Sequence, residues 1–227
     1  MVVLKIIFSL LILSFPIAEI GRFQFPNGVA FSINDVFLIA LIICWIAYHV
    51  LNRKKINKNS LTKPILIFIT VALISLVLNI ANLSVTNFLI SFLYLLRWIM
   101  YALLFFIVRG FNKEFRNKIP YLLLFSGLLV VAAGYAQYFL YPSLKNLFYL
   151  GWDEHLYRMF SSFLDPNFAG TFFVLFFIFI LGLVYDFFKK KLFLNSLVLS
   201  ALGVFVLIAV YLTYSRSALI MLILSTA

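Results

Sequence analysis

The chain has 227 residues, of which 65% are apolar and only 11% are charged, and its formal net charge is +11. Soluble domains are roughly half apolar and about a quarter charged, and a domain of this size cannot bury so much apolar surface in water. The composition therefore excludes a soluble enzyme, a disordered tail and a disulfide scaffold, and it predicts an all-α bundle of helices in a lipid bilayer.

Seven apolar segments are predicted to cross the membrane, because a helix needs about 20 mostly apolar residues to cross hydrocarbon about 30 Å thick. In chain order they are residues 6–20, 33–51, 64–80, 88–108, 119–141, 168–185 and 196–212. An eighth helix begins at Ser217 and reaches only Ala227, about half a membrane. We therefore expect residues 1–227 to form one transmembrane helical domain, the N-terminal part of a longer protein, with an outer loop at 142–167.

Proline and cap residues mark the starts of several of these helices. Pro64 and Pro120 lie near predicted first turns, where a missing N–H costs nothing. Asp165 followed by Pro166 predicts an N-cap and a first helical residue. Ser215 is the predicted N-cap of the eighth helix.

The positions of the 18 basic residues predict the orientation of the bundle. Most lie in connections that share one side of the membrane with the N-terminus: Lys5, Arg53, Lys54, Lys55, Lys58, Lys63, Arg109, Lys113, Arg116, Lys118 and Lys189–Lys191. Cytoplasmic loops carry the lysine and arginine excess, so we predict a cytoplasmic N-terminus and contacts with membrane lipids, and no nucleic-acid partner. The N-terminus also resembles a secretory signal peptide, an alternative in which the chain after it still starts on the outer side.

Cysteine and histidine are too sparse for metal or redox chemistry. Cys44 is the one cysteine in the sequence and lies within a predicted span, so no disulfide can form within the chain. His49 and His155 are far apart and form no i, i+4 pair of metal ligands. We predict no metal site and no cofactor.

Two polar clusters lie on the predicted outer side. Arg158 and Asn167 are candidates for lining a polar site at the outer mouth of the bundle, and the alternative is an interfacial loop at headgroup level. Ser215, Arg216 and Ser217 form a short turn before the eighth helix, with Arg216 in its first turn. A cation there is unfavourable by roughly half a kcal/mol unless an anion lies between it and the helix N-terminus. We favour a bound phosphate-like anion over an arginine that reaches lipid phosphate.

Arg97 lies close to the middle of the fourth predicted span. An arginine at that depth costs at least about 2.5–3.5 kcal/mol, so we expect its side chain to face the protein interior. We find no acidic residue at comparable depth. The expected partners are therefore carbonyls, water, a ligand, helices outside this chain, or polar side chains such as Asn79 or Gln137, and both a structural and a functional role remain open.

The segment from Arg158 to Gly170, with the sequence RMFSSFLDPNFAG, resembles the O-antigen ligase and polymerase family. In that family an arginine precedes a turn of small residues and phenylalanine, and then (Asn/Asp)-Pro-Asn. The turn at Ser215, Arg216 and Ser217 is similar to the family's second mark, Ser-Arg-(Gly/Ser) after a helix. The order and spacing of the two motifs, on the outer side of a multi-pass bundle, carry the resemblance.

The resemblance implies a C-type membrane glycosyltransferase, integral to the bacterial cytoplasmic (inner) membrane. Such an enzyme transfers a glycan from a polyprenyl-diphosphate carrier to a glycan or lipid acceptor at the outer face, without metal. By motif, Arg216 matches an arginine that binds the donor diphosphate, and Arg158 matches the other recurrent arginine. The polar side chains expected to support binding are Ser215, Ser217, Asn167 and Arg97. The catalytic histidine is expected in a later external loop that follows Ala227, so His155 is not that histidine and the fragment is expected to be inactive.

Two other classes of function remain open. A transporter or flippase for an anionic or lipid-linked substrate would use Arg97 and the outer arginines along its path. A non-catalytic membrane scaffold would use its polar residues for helix packing. The sequence contains no paired halves of the kind that transporters often show.

Overall fold

The structure is a computed structural model, and it describes residues 1–25, 29–53 and 60–226. The helices in these ranges are α1 (Val2–Ser14), α2 (Ile33–Leu51), α3 (Thr62–Leu78), α4 (Val85–Gly110), α5 (Lys113–Leu140), α6 (Pro166–Lys189), α7 (Phe193–Leu212) and α8 (Arg216–Thr226). A short antiparallel hairpin of β1 (Arg22–Gln24) and β2 (Ala30–Ser32) precedes α2. Lys54, Lys55 and Lys58, which the sequence assigned to the cytoplasmic side, lie outside the described residues.

Five of the described helices are long and apolar enough to cross a membrane, namely α2, α4, α5, α6 and α7. The helices α1, α3 and α8 are apolar but shorter. The predicted class, an all-α protein with several membrane-spanning helices, is therefore confirmed. The count of seven spans and the orientation of the bundle stay predictions.

The helix boundaries agree with the sequence where capping or apolar composition decides them, and they differ elsewhere. The helix α2 spans Ile33–Leu51 as predicted, and its start is a capping box in which Ser32 and Asp35 bond each other's backbone N–H. The first helix ends at Ser14, earlier than predicted, and a 3₁₀ turn (Phe15–Gly21) follows it. Pro16 explains this difference, because a residue before proline disfavours the α conformation.

The helix α5 begins at Lys113, and Pro120 therefore lies inside the helix. The prediction that Pro120 lies near the first turn is wrong. The polar first turns contain an ion pair between Glu114 and Lys118 at 2.9 Å. Such i, i+4 pairs support a helix without adding apolar character. Hydropathy alone therefore placed the start of this helix too late.

Residue contacts divide the chain into two compact units. The first unit is Met1–Ser14 with Gly21–Leu122, and its core forms where α1, α2 and α4 pack together around Leu38, Leu41 and Ile107. The helix α3 has no buried residue and packs against α4, where the rings of Phe68 and Trp98 lie 4.1 Å apart.

The second unit is Phe15–Ile20 with Leu123–Ala227, and α6 lies at its centre. The helix α6 packs against α7 and α8, and its Phe173 and Ile180 are fully buried. Gly170 allows α8 to approach closely, since a Cβ at this position would lie 2.7 Å from the Cβ of Ala218. Small residues at such crossings are typical of helix pairs in membranes.

Candidate functional site

The first turn of α6 is capped by a carboxylate. The Oδ1 atom of Asp165 accepts the backbone N–H groups of Asn167 at 2.7 Å and Phe168 at 3.0 Å. Pro166 occupies the first helical position and has no N–H to satisfy. The predicted cap is therefore confirmed, and it leaves the exposed side chain of Asn167 at the start of the helix.

The first turn of α8 is capped by a hydroxyl. The Oγ atom of Ser215 accepts the backbone N–H of Ala218 at 3.3 Å, which confirms Ser215 as the N-cap. A tight turn with φ of 50° at Tyr214 connects α7 to this cap. Arg216 is the first residue of α8 and its side chain is exposed.

A hydrogen bond joins these two helix starts. The hydroxyl of Ser215 donates to Oδ1 of Asn167 at 2.8 Å, and its oxygen lies 3.0 Å from Oγ of Ser217. With Oδ1 of Asn167 occupied, the amide nitrogen of this residue retains two N–H donors that bond no residue in the described ranges. Two helix N-termini, each with a positive partial charge, therefore lie side by side.

Arg158 holds the preceding loop against the α7–α8 turn. Its Nε atom donates to the carbonyl of Thr213 at 3.0 Å, and one terminal nitrogen donates to the carbonyl of Tyr214 at 3.3 Å. The backbone N–H of Met159 donates to the carbonyl of Leu212 at 2.9 Å. These carbonyls lie at the C-terminal end of α7, where a cation is favourable. Arg158 is thus committed mainly to shaping the turn.

Arg216 differs from Arg158, because its side chain bonds no carbonyl among the residues that the structure describes. No acidic side chain in the described part of the chain forms an ion pair with it, and its guanidinium is exposed. The backbone N–H groups of Arg216 and Ser217 likewise have no acceptor among the described residues. This first turn therefore offers several N–H donors to an anion.

Gln137 anchors the loop from α5, a role that the sequence did not reveal. Its Oε1 atom accepts the backbone N–H groups of Phe160 at 2.8 Å and Ser161 at 3.1 Å. Its Nε2 atom donates to the carbonyls of Arg158 at 3.2 Å and Tyr141 at 3.1 Å. The sequence did contain a signal for this role, namely a glutamine inside a predicted span. Polar side chains within the membrane usually bond other groups of the protein.

Ser162 and His155 add two further polar groups to this loop. The hydroxyl of Ser162 is buried and has no hydrogen-bond partner in the described ranges. Burial lowers the pKa of His155 below its ordinary value, and Arg158 also lowers this pKa, while Asp165 and Asp153 raise it. The charges of Arg158, Asp165 and Asp153 therefore act on His155.

Arg97 lies in the first unit and has its own partners. One terminal nitrogen donates to Oδ2 of Asp35 at 2.9 Å and to the carbonyl of Ala30 at 2.6 Å. The expectation that no acidic residue reaches Arg97 is therefore wrong. The reason is that the hairpin brings the first turn of α2 beside the middle of α4. Asn79 and Gln137 bond other groups.

Of the six candidate residues, Arg97 lies in the first unit, and the structure brings the other five together in the second unit. Ser215 bonds Asn167 and Ser217, Arg158 bonds the turn before Ser215, and Arg216 follows it. No family model, curated protein or solved structure matches this chain.

Proposed function

We propose that this chain binds the diphosphate of a polyprenyl-linked glycan donor, as part of an O-antigen ligase-like or polymerase-like glycosyltransferase. The supporting observation is the hydrogen bond between Ser215 and Asn167, which joins the first turns of α6 and α8. The N-terminus of α8 and the guanidinium of Arg216 favour an anion with several oxygen atoms. A diphosphate offers these oxygens and the charge to match them.

The donors with no acceptor among the described residues determine how the anion would be bound. The α6 N–H groups of Asn167 and Phe168 are already bound by the carboxylate of Asp165, which also offsets part of the positive charge. The ligand would therefore bind chiefly to α8, through the guanidinium of Arg216 and the first backbone N–H groups. The amide of Asn167 would contribute a further donor.

The chemistry that this arrangement supports is stabilisation of a leaving group. In glycan transfer the acceptor hydroxyl attacks the anomeric carbon, the bond to the diphosphate oxygen breaks, and the hydroxyl proton passes to a base. Negative charge grows on the departing diphosphate. A planar guanidinium aimed at those oxygens stabilises the transition state, and we assign this role to Arg216. Arg158 acts as a positioning residue that fixes the turn.

The proposal includes a location and a topology. We infer seven spans with a cytoplasmic N-terminus, so that the starts of α6 and α8 face the outer side of the cytoplasmic membrane. The lysine and arginine bias of the loops supports this orientation. Labelling tests it in variants in which Cys44 is replaced by alanine and one cysteine is placed at position 146 or 190. The cysteine at 146 is expected to react with an impermeant reagent in intact cells, and the cysteine at 190 only after lysis.

The binding test uses purified protein in detergent and three probes: a polyprenyl diphosphate, the corresponding monophosphate and the free alcohol. We expect the diphosphate to bind most tightly, and Arg216→Ala to weaken its binding by about tenfold or more. Lys145→Ala is the matched control, because it removes an exposed cation on the same predicted outer side and is expected to leave binding unchanged. Equal loss in the two variants, or equal binding of alcohol and diphosphate, would contradict the proposal.

A further inference from the structure

The first unit contains a pocket of about 240 Å³ between the hairpin, α2 and α4. Its lining is apolar except for the ion pair of Arg97 with Asp35 and for Tyr94, whose ring centre lies 5.6 Å from the guanidinium of Arg97. Ile39, Leu93 and Met100 are among the apolar side chains of its wall. A pocket with apolar walls and a few polar groups suits a ligand with an apolar body and one polar end.

The guanidinium of Arg97 retains donors at this pocket. A guanidinium has five N–H groups, and the two on one terminal nitrogen serve Asp35 and Ala30. The other three, on Nε and the second terminal nitrogen, bond no residue in the described ranges. The side chain is 32% exposed, whereas that of Asp35 is 4% exposed. Arg97 is therefore the charged group of the pocket that can donate to a ligand.

The ion pair has no net charge, and this favours a ligand with a neutral hydrogen-bond acceptor. The carboxylate of Asp35 already balances Arg97, and its Oδ2 atom also accepts from the backbone N–H of Ser32 at 2.8 Å and from the hydroxyl of Ser32 at 2.9 Å. A second anion would face this buried carboxylate in surroundings of low dielectric constant, where repulsion is strong. A carbonyl oxygen accepts the same N–H groups without adding charge.

We place the pocket at the level of lipid ester groups from the length of α2, since the middle of the longer helix α4 does not fix a depth by itself. Asp35 lies in the first turn of α2, a helix of 19 residues that is long enough to cross the hydrocarbon layer. The first turn of such a helix lies near the border between hydrocarbon and headgroups. The pocket volume is below the roughly 300–1,000 Å³ of sites for drug-sized ligands, so it fits part of one chain and not a whole lipid.

We propose that this pocket is a lipid site that takes one acyl chain of a membrane glycerolipid, with the ester carbonyl of that chain bound by the free N–H groups of Arg97. The headgroup lies outside the pocket and is not recognised. This proposal does not depend on the proposed diphosphate site.

The test compares two phosphatidylcholines that differ only in the linkage of their chains. Delipidated protein in detergent receives either the diester lipid or the diether lipid with the same chain length, and thermal unfolding is measured. We expect the diester to raise the midpoint of unfolding in a saturable manner and the diether to raise it much less. Equal shifts from the two lipids would overturn the proposal.

Two variants and one further lipid complete the experiment. Leu93→Trp fills the pocket and is expected to abolish the diester effect, whereas Leu89→Trp, an exposed position on the same helix that does not line the pocket, is expected to preserve it. A diester phosphatidylglycerol is expected to match the phosphatidylcholine. Binding of the anionic lipid alone would overturn the proposal, because it would mean that Arg97 recognises a headgroup charge. The comparison of lipids on the unaltered protein stands even if Leu93→Trp does not fold.

Discussion

The side chains of Asn167 and Ser215 are 48 residues apart in the chain and are joined by a hydrogen bond of 2.8 Å. This bond connects the second residue of α6 to the N-cap of α8. Ser215 therefore has three functions at once, since it caps its own helix, links two helices and accepts from Ser217. The anion site that we propose depends on this one hydroxyl group more than on any other uncharged group.

Replacing Ser215 with alanine removes both the cap and the link. We expect a loss of about 1–3 kcal/mol in the free energy of unfolding, since a lost cap costs typically about 1 kcal/mol and a stranded partner adds to it. Reversible unfolding in detergent measures the loss. The control is Ser225→Ala on the same helix, whose exposed hydroxyl bonds only carbonyls of its own helix. That variant is expected to stay within about 0.5 kcal/mol of the unaltered protein.

Gly170 tests the close approach of α6 and α8. A Cβ there would lie 2.7 Å from the Cβ of Ala218 and 3.1 Å from Oγ1 of Thr213. We expect Gly170→Ala to lower the free energy of unfolding by about 1–3 kcal/mol through overpacking. Gly182→Ala on the same helix meets no atom within 4 Å and is expected to be neutral or stabilising.

A compensating substitution separates crowding from other effects at Gly170. If the clash with Ala218 causes the loss, adding Ala218→Gly to Gly170→Ala should restore part of the stability, with a coupling of about 0.5–3 kcal/mol. Strictly additive effects of the two substitutions would argue against direct contact between the helices at this point.

What the sequence could predict was local. The extent of α2 and the caps at Asp165 and Ser215 depend on neighbouring residues, and these predictions are confirmed. The ion pair of Arg97 with Asp35 joins residues 62 apart, and the bonds of Gln137 to its loop join residues 23 and 24 apart. Such pairings depend on how helices pack, which hydropathy does not encode. The sequence placed Arg97 near mid-membrane by counting residues within one apolar segment. The helix α4 has 26 residues and is longer than a membrane is thick, so this count does not fix the depth of Arg97.

Gln137 is expected to control the order of the loop that carries Arg158. In Gln137→Leu the backbone N–H groups of Phe160 and Ser161 lose their acceptor, at a cost of about 1–3 kcal/mol for each group that stays buried. We expect faster amide hydrogen exchange at these two residues and weaker diphosphate binding. Gln137→Glu keeps an oxygen acceptor and is expected to retain more of the protection than leucine does. Unchanged exchange in Gln137→Leu would contradict the anchoring role.

His155 gives the stability of the loop a pH dependence of predictable sign. Burial lowers the pKa of its imidazole from the ordinary value of 6.5, with Arg158 acting in the same direction and Asp165 and Asp153 opposing. The folded protein therefore binds this proton less tightly than the unfolded chain does. The stabilising contribution is complete above pH 6.5 and is lost as the pH falls through the lowered pKa.

The variant that tests this contribution is His155→Asn, because His155 has a φ of 49° and asparagine tolerates the left-handed conformation. Unfolding midpoints are measured between about pH 7.5 and 5, the range in which histidine titrates. The unaltered protein is expected to lose stability more steeply on acidification than the variant. An identical slope in the two proteins would show that His155 does not carry the effect.

The two partners of the ion pair between Arg97 and Asp35 are expected to differ in how much stability is lost when each is replaced. Arg97→Met leaves the carboxylate of Asp35 buried without its cation, and breaking a buried pair in this way costs about 3–5 kcal/mol. Asp35→Asn leaves the more exposed Arg97 able to reach water, although it weakens the capping box at Ser32. The arginine variant is therefore expected to lose more stability than the asparagine variant. Unfolding in detergent ranks the two, and the reverse order would mean that the pair matters mainly as a helix cap.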